Sequence, residues 1–282
     1  MKLVRFGDRG FEKPGLLGQD GRIRDLSGHV PDLSSQALGA ASLRRLRELN
    51  ESELPVVDAD VRLGPCVAGV GKIVCIGLNY SDHAAEAGMA VPAEPLVFLK
   101  ATTAISGPND DVMLPRGSQK SDWEVELGIV IGARASYVSV QEATECVAGY
   151  CIVNDVSERA FQLERGGQFV KGKSCNTFAP IGPWLVTRDE VPNPNALPMR
   201  LDVNGERQQN GSTANMVFNV PFLVSYLSEF MTLEPGDIIS TGTPAGVGMG
   251  KKPPVFLQEG DVMELAIEGL GRQRQRVVAW AR

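Results

Sequence analysis

One stretch limits what this chain can fold into more than any other: Ser121-Asp122-Trp123-Glu124-Val125-Glu126-Leu127-Gly128-Ile129-Val130-Ile131. Successive side chains of a strand point to opposite faces. Trp123, Val125, Leu127, Ile129 and Ile131 therefore share one side, while Glu124 and Glu126 share the other with their Cα atoms roughly 7 Å apart. Two neighbouring anions on so apolar a strand repel each other unless a cation lies between them. Hard carboxylate oxygens suit Mg2+, Mn2+ or Ca2+. The competing reading is a solvated sheet face that happens to carry two glutamates.

Composition narrows the field. With 282 residues, 43% of them hydrophobic, the chain can bury a sizeable core in one large domain or two. A net charge of -6 and the lack of a Lys/Arg-rich block argue against nucleic acid or an anionic membrane surface as partner. The start, Met1-Lys2-Leu3-Val4-Arg5-Phe6-Gly7-Asp8, turns polar too soon for a secretory leader, and no apolar run is long enough to span a bilayer, so the expected location is the cytoplasm. Five cysteines, none in a C-x-x-C pair, argue against a disulfide framework or a thiolate zinc site and read as buried thiols. Only His29 and His83 are present, which rules out multi-histidine sites and leaves oxygen to hold any metal.

Along the chain, residues 1–70 read as a small unit: a strand at Lys2 to Phe6, a hairpin around Gln19-Asp20-Gly21 and a helix near Ser35 to Leu49. Residues 71–282 read as β-rich, with short apolar runs at Ile73 to Ile76, Leu96 to Leu99, Val125 to Ile131, Tyr150 to Val153, Leu201 to Val203, Asp237 to Ser240 and Val262 to Ile267. Asn204-Gly205 predicts a two-residue hairpin turn. Ser139 and Glu142 form a capping box that should open a helix ending near Gly149, and Val220 to Phe230 predicts another helix. Gly236-Asp237 and Gly260-Asp261 each predict a turn feeding a strand. The expected class is mainly β with α, a mixed, barrel-like or rolled sheet.

Other chemistry-bearing residues cluster along this frame. Asp155 stands where the strand Tyr150 to Val153 runs into polar residues, a third carboxylate for a metal or else a turn or capping aspartate. His83 and Glu86, three apart at a helix start, would share a face on which the acid orients the imidazole as a base; the plainer alternative is a surface histidine beside an acid. The Ala87-Gly88 flank would suit a lid. Lys171-Gly172-Lys173-Ser174 offers cations for a substrate carboxylate, or is simply a solvated loop. Thr241-Gly242-Thr243-Pro244-Ala245-Gly246-Val247-Gly248 could wrap N–H groups around an anion, but it lacks the glycine and hydroxyl positions of a phosphate-binding P-loop.

Taken in order, Gly77-Leu78-Asn79-Tyr80-Ser81-Asp82-His83-Ala84-Ala85-Glu86, Glu124-Val125-Glu126-Leu127-Gly128, Asn154-Asp155 with Arg159 and Gln162, Lys171-Gly172-Lys173, and Thr241 to Gly248 resemble the fumarylacetoacetate hydrolase family over roughly residues 70 to 282. The resemblance implies a mixed β-roll around a metal, preceded by a small N-terminal domain and working as a homodimer. It implies Glu124, Glu126 and Asp155 as ligands of Mg2+ or Mn2+, and His83 with Glu86 as the water-activating pair on a lid helix. Lys173 matches the family's active-site lysine, while Arg159, Gln162 and Thr243, with Lys171 beside them, match positions that hold the 2-oxo acid end of a substrate.

Retention of both His83 and Glu86 favours hydrolysis of a C–C bond in a 2,4-dioxo acid, giving pyruvate and a carboxylic acid. The resemblance leans towards sugar-derived substrates such as 2,4-diketo-3-deoxy-fuconate or rhamnonate. Alternatives are decarboxylation of oxaloacetate-like acids, isomerisation of a hydroxyhepta-dienedioate, ureidoglycolate lyase activity, and a non-catalytic module clamped by a metal.

Overall fold

Nine strands follow one another across the larger sheet, in the order Ile23–Asp25, Lys13–Leu17, Lys2–Phe6, Ala179–Thr187, Val147–Asn154, Val125–Ile131, Ile238–Ser240, Ile73–Gly77 and Leu96–Lys100; a tenth, Ile105–Ser106, pairs beside Ala179–Thr187. The computed structural model describes residues 1–86 and 88–281. Ala87, part of the flank suggested for a lid, lies outside them. The sheet is mixed, because Ile238–Ser240 runs parallel to Ile73–Gly77 and antiparallel to Val125–Ile131. A second sheet takes the order Glu206–Ser212, Pro198–Val203, Val262–Ile267, Gly271–Val278 and Val112–Met113. Both sheets are open, so the chain is mainly β with α, as expected, without closing into a barrel.

The two central strands, Val125–Ile131 and Val147–Asn154, are buried along their whole length. Leu127 and Val153 share one apolar cluster with Leu201, Leu265 and Ile267 of the second sheet. Covered on both faces, the glutamate strand cannot be a solvated sheet face. The first three strands continue the larger sheet through Lys2↔Val186 and Leu3↔Leu185. A division near residue 70 is thus a proposal about organisation that the sheet itself crosses.

Local signals fix several boundaries. Asn204 and Gly205 both take φ above zero in the hairpin between Pro198–Val203 and Glu206–Ser212. The two Gly-Asp turns repeat one bond: Asp237 Oδ2 accepts from Glu234 N–H and Asp261 Oδ2 from Gln258 N–H, each at 2.7 Å. The helix Val220–Phe230 is found where its pattern predicts it, with Asn219 as N-cap. The Ser35 to Leu49 helix shortens to Ala40–Arg47. Ser139 caps its helix as expected, but that helix stops at Ala143, passes through one 3-10 turn and becomes strand at Val147. Gly149 is a strand residue paired with Thr187, not a helix end; a Cβ there would run into the Val186 carbonyl, so its lack of a side chain serves close strand approach.

Candidate functional site

Antiparallel pairing of Asn154 with Val125 sets the residues flanking that pair, Glu124 and Asp155, side by side, and the Asp155 N–H donates to the Glu124 carbonyl at 2.9 Å. Glu126 stands one register step along, opposite Val153. One oxygen from each of Glu124, Glu126 and Asp155 lies within 4.8 Å of the others. These side chains are buried, with exposures of 4, 2 and 0%.

Three basic residues converge on them. Lys173 Nζ donates to Glu124 Oε2 at 2.6 Å and Asp155 Oδ2 at 2.7 Å, and Lys100 Nζ donates to Asp155 Oδ1 at 2.5 Å. Arg159 Nη2 donates to Glu124 Oε1 at 2.6 Å, while its Nε donates to Asp122 Oδ2 at 2.9 Å and its Nη1 to Gln162 Oε1 at 3.1 Å. Among the described residues Glu126 has no such cation: its Oε2 accepts from Ser240 Oγ at 2.6 Å and from the Gly242 N–H at 2.8 Å. Burial pushes the Glu124 carboxyl up, but Lys173 and Arg159 outweigh it and hold the group below the usual carboxylate range. For Glu126, burial and the neighbouring Asp155 and Glu124 charges act together and drive it well above that range. Burial alone would lower Lys173; Asp155 and Glu124 reverse that and keep its ammonium charged.

The lysine pair splits. In the short helix Val170–Lys173, Lys173 turns inward, whereas Lys171 is exposed and donates to the Arg165 carbonyl at 2.7 Å, away from the cavity. Gly172 between them lets this helix press against its neighbour, since a Cβ would run into the Glu158 carbonyl and come within 2.6 Å of Gln162 N. Asp155 is no cap: Glu158 caps the following helix, Arg159–Leu163.

His83 and Glu86 lie on one turn of the helix Ser81–Glu86, with His83 Nδ1 3.2 Å from Glu86 Oε2. A carboxylate partner fixes the proton on Nδ1 and leaves the Nε2 lone pair free. Glu86 also accepts from the Gly246 N–H, at 3.0 Å to Oε1 and 3.1 Å to Oε2. Burial raises Glu86, and His83 and Gly246 more than compensate, so the group sits below its ordinary value. The Thr241 to Gly248 loop does gather N–H groups around anions, and those anions are the protein's own: Glu126, Glu86 and, through Gly248 at 2.7 Å, Asp122. Thr243 Oγ1 is likewise committed, donating to the Val125 carbonyl at 2.9 Å and accepting from Gln209 Nε2 at 2.8 Å.

A cavity of about 230 Å³ opens onto Glu124, Glu126, His83, Arg159, Gln162, Lys173 and Thr243. Seven of the ten residues singled out from sequence thus line one cavity, with Glu86 bonded to His83 and Asp155 to Lys173 behind it; Lys171 is the exception. Sequence reasoning missed Lys100, Asp122 and Ser240. Lys100 and Asp122 had a weak signal, a charge at the edge of an apolar run. Three carboxylates in mutual reach, one lacking a cationic partner and with no thiolate or imidazole among them, fit a hard divalent cation.

The family description "Fumarylacetoacetate (FAA) hydrolase C-terminal" matches residues 72–278. A Burkholderia lata protein, named provisionally as a hydrolase, is 60% identical over 276 residues, 98% of each chain. Among solved structures, a Mycobacterium abscessus protein named provisionally as a 2-hydroxyhepta-2,4-diene-1,7-dioate isomerase is 35% identical with a TM-score of 0.85 over the whole of both chains. Maleylpyruvate hydrolase from Sphingobium sp. SYK-6, solved with manganese (II) ion and pyruvate, is 30% identical with a TM-score of 0.81, again over both whole chains.

Proposed function

This chain belongs to the fumarylacetoacetate hydrolase family, and from that premise we propose that it uses water to cleave the C3–C4 bond of a 2,4-dioxo acid, releasing pyruvate and a carboxylic acid. At the coarser level it is a divalent-metal-dependent enzyme that processes oxo acids, of hydrolase or isomerase type. The observation that carries the hydrolytic reading is a base already oriented in the same cavity as the buried acid trio: His83, held through Nδ1 by Glu86.

Glu124, Glu126 and Asp155 would hold Mg2+ or Mn2+. Bound there, the cation supplies Lewis-acid polarisation of the substrate's carboxylate and 2-oxo oxygens. The chain's own groups do the rest. Among the described residues the buried cluster has four acids, Asp122, Glu124, Glu126 and Asp155, against three bases, Lys100, Arg159 and Lys173. With all four acids ionised around one divalent cation, the cluster carries an excess of one positive charge, which suits an anionic substrate. Arg159 and Gln162 would orient the carboxylate end, and Lys173 would hold negative charge as it develops on oxygen. His83 Nε2 would take a proton from water attacking C4. As the C3–C4 bond breaks, its electron pair passes to the pyruvyl fragment, and the proton held by His83 returns to C3.

Isomerisation is the second reading, favoured by the neighbour named provisionally as an isomerase; it needs no attacking water. A homodimer in the cytoplasm, with a small-molecule acid as partner and neither nucleic acid nor membrane, completes the proposal. It draws on the family resemblance, on the acidic charge balance, and on the finding that no described helix is long and apolar enough to cross a membrane.

The test follows pyruvate release from 2,4-dioxo acids with Mn2+ or Mg2+, with and without chelator. Pyruvate should appear only with metal, and His83→Ala should lower kcat by about 10²- to 10⁴-fold with Mn2+ affinity retained. A substrate rearranged without fragmentation would refute hydrolysis in favour of isomerisation.

A further inference from the structure

Beyond Lys173 the cavity wall changes character. Met89, Leu96, Phe98, Leu163, Phe169 and Met249 line it, drawn from three separate stretches of chain. Phe98 and Phe169 meet edge to face at 5.5 Å, and the Phe98 ring centre lies 5.2 Å from Lys173 Nζ, so the apolar wall begins directly beside the ammonium. Met89, Leu96 and Leu163 are 54, 41 and 45% exposed, an apolar grouping at a cleft of the kind that marks a ligand groove.

That wall offers a substrate little polarity. The lining cations, Arg159 and Lys173, are bound to Asp122, Glu124 and Asp155. Lys171 faces the Arg165 carbonyl, and the Arg165 guanidinium lies 4.5 Å from the Phe161 ring centre. Thr243, the one hydroxyl side chain among the lining residues described, is engaged on both sides.

We infer that the far end of the substrate is an apolar acyl group, alkyl or aryl, rather than a second carboxylate or a polyhydroxylated tail. This rests on the 2,4-dioxo acid reading and departs from the sugar-acid expectation. A second carboxylate would lose its water against Phe98, Leu163 and Phe169, since the cations among the described lining residues, Arg159 and Lys173, are taken by internal acids and the pyruvyl end; sugar hydroxyls would lose theirs against the same apolar side chains.

The Mn2+-loaded enzyme is offered four 2,4-dioxo acids that share the pyruvyl end and carry a propyl, a phenyl, a carboxyethyl or a dihydroxyethyl group beyond C4. Pyruvate release should give a kcat/KM about 10- to 200-fold higher for the first two. Equal or higher kcat/KM on either polar acid overturns the inference and leaves hydrolysis standing. No pyruvate from any of the four overturns the hydrolase reading, and the inference with it. Leu163→Lys, on the exposed rim, should lower the propyl-to-carboxyethyl ratio at least about tenfold; an unchanged ratio would count against the wall as the source of the preference.

Discussion

Two ion-pair networks in this molecule use similar groups to different ends. Near the N-terminus, Arg5 pairs with Asp32 at 2.7 Å and Glu12 at 3.5 Å, Arg62 with Glu12 at 3.0 Å and Asp110 at 2.7 Å, and Arg9 with Asp110 at 3.1 Å. Three bases meet three acids, every acid has a cation, and water reaches the edges. In the cavity, four acids meet three bases under full burial, and Glu126 is left with a hydroxyl and an N–H. The lesson is that the unbalanced member, rather than the ion pairs themselves, marks a place built to receive charge from outside.

The sharpest way to break that contrast is to neutralise an acid of each kind in the cavity. Asp155→Asn strips a partner from two buried ammonium groups, so metal-free stability in urea should fall by about 3–5 kcal/mol. Glu126→Gln removes a carboxylate that no cation among the described residues holds, so metal-free stability should stay level or rise. Both should lose Mn2+ affinity by at least about 100-fold in calorimetry, since even partners outside the metal's ligand shell are worth 10- to 100-fold. A large loss of stability in Glu126→Gln would end the distinction between the networks.

A smaller effect is expected from Asp110→Asn in the balanced network: about 1–3 kcal/mol of stability, with kcat and Mn2+ affinity unchanged. Burial raises the Asp110 carboxyl, but the Arg62, Gly107 and Arg9 bonds lower it further, below its ordinary 3.8. A depressed carboxyl stabilises fully above that ordinary value and loses its contribution as pH falls through the lower folded one. The gap between wild type and Asp110→Asn in urea midpoint should therefore be constant near pH 7 and close below pH 4. Smallest of all, Lys171→Ala should change kcat/KM less than about twofold, because an exposed lysine on a backbone carbonyl contributes little.

Periodicity and turn chemistry were enough to find the glutamate strand, the Asn204-Gly205 hairpin and the helix Val220–Phe230, because the information lies within a few adjacent residues. Lys100 was hidden for the opposite reason. It ends an apolar run as a solvated lysine would, and its burial is made tolerable by Asp155 and the Val156 carbonyl, 55 and 56 residues away. Gly149 read as a helix stop because its real constraint, the Val186 carbonyl, lies on another strand. Lys171 and Lys173 are indistinguishable in sequence until Gly172 packs against Glu158 and turns one of them inward. The apolar wall is the same kind of case, with Met89, Leu163 and Met249 scattered along the chain until the fold gathers them.

Glu86 grips two things at once, the imidazole of His83 and the backbone of Gly246. Swinging the Ser81–Glu86 turn away would carry acid and imidazole off together, their own bond intact, and break only the hold on Gly246. The pair is thus a single preassembled part, and one backbone N–H of the Thr241 to Gly248 loop decides where it stands over the carboxylates.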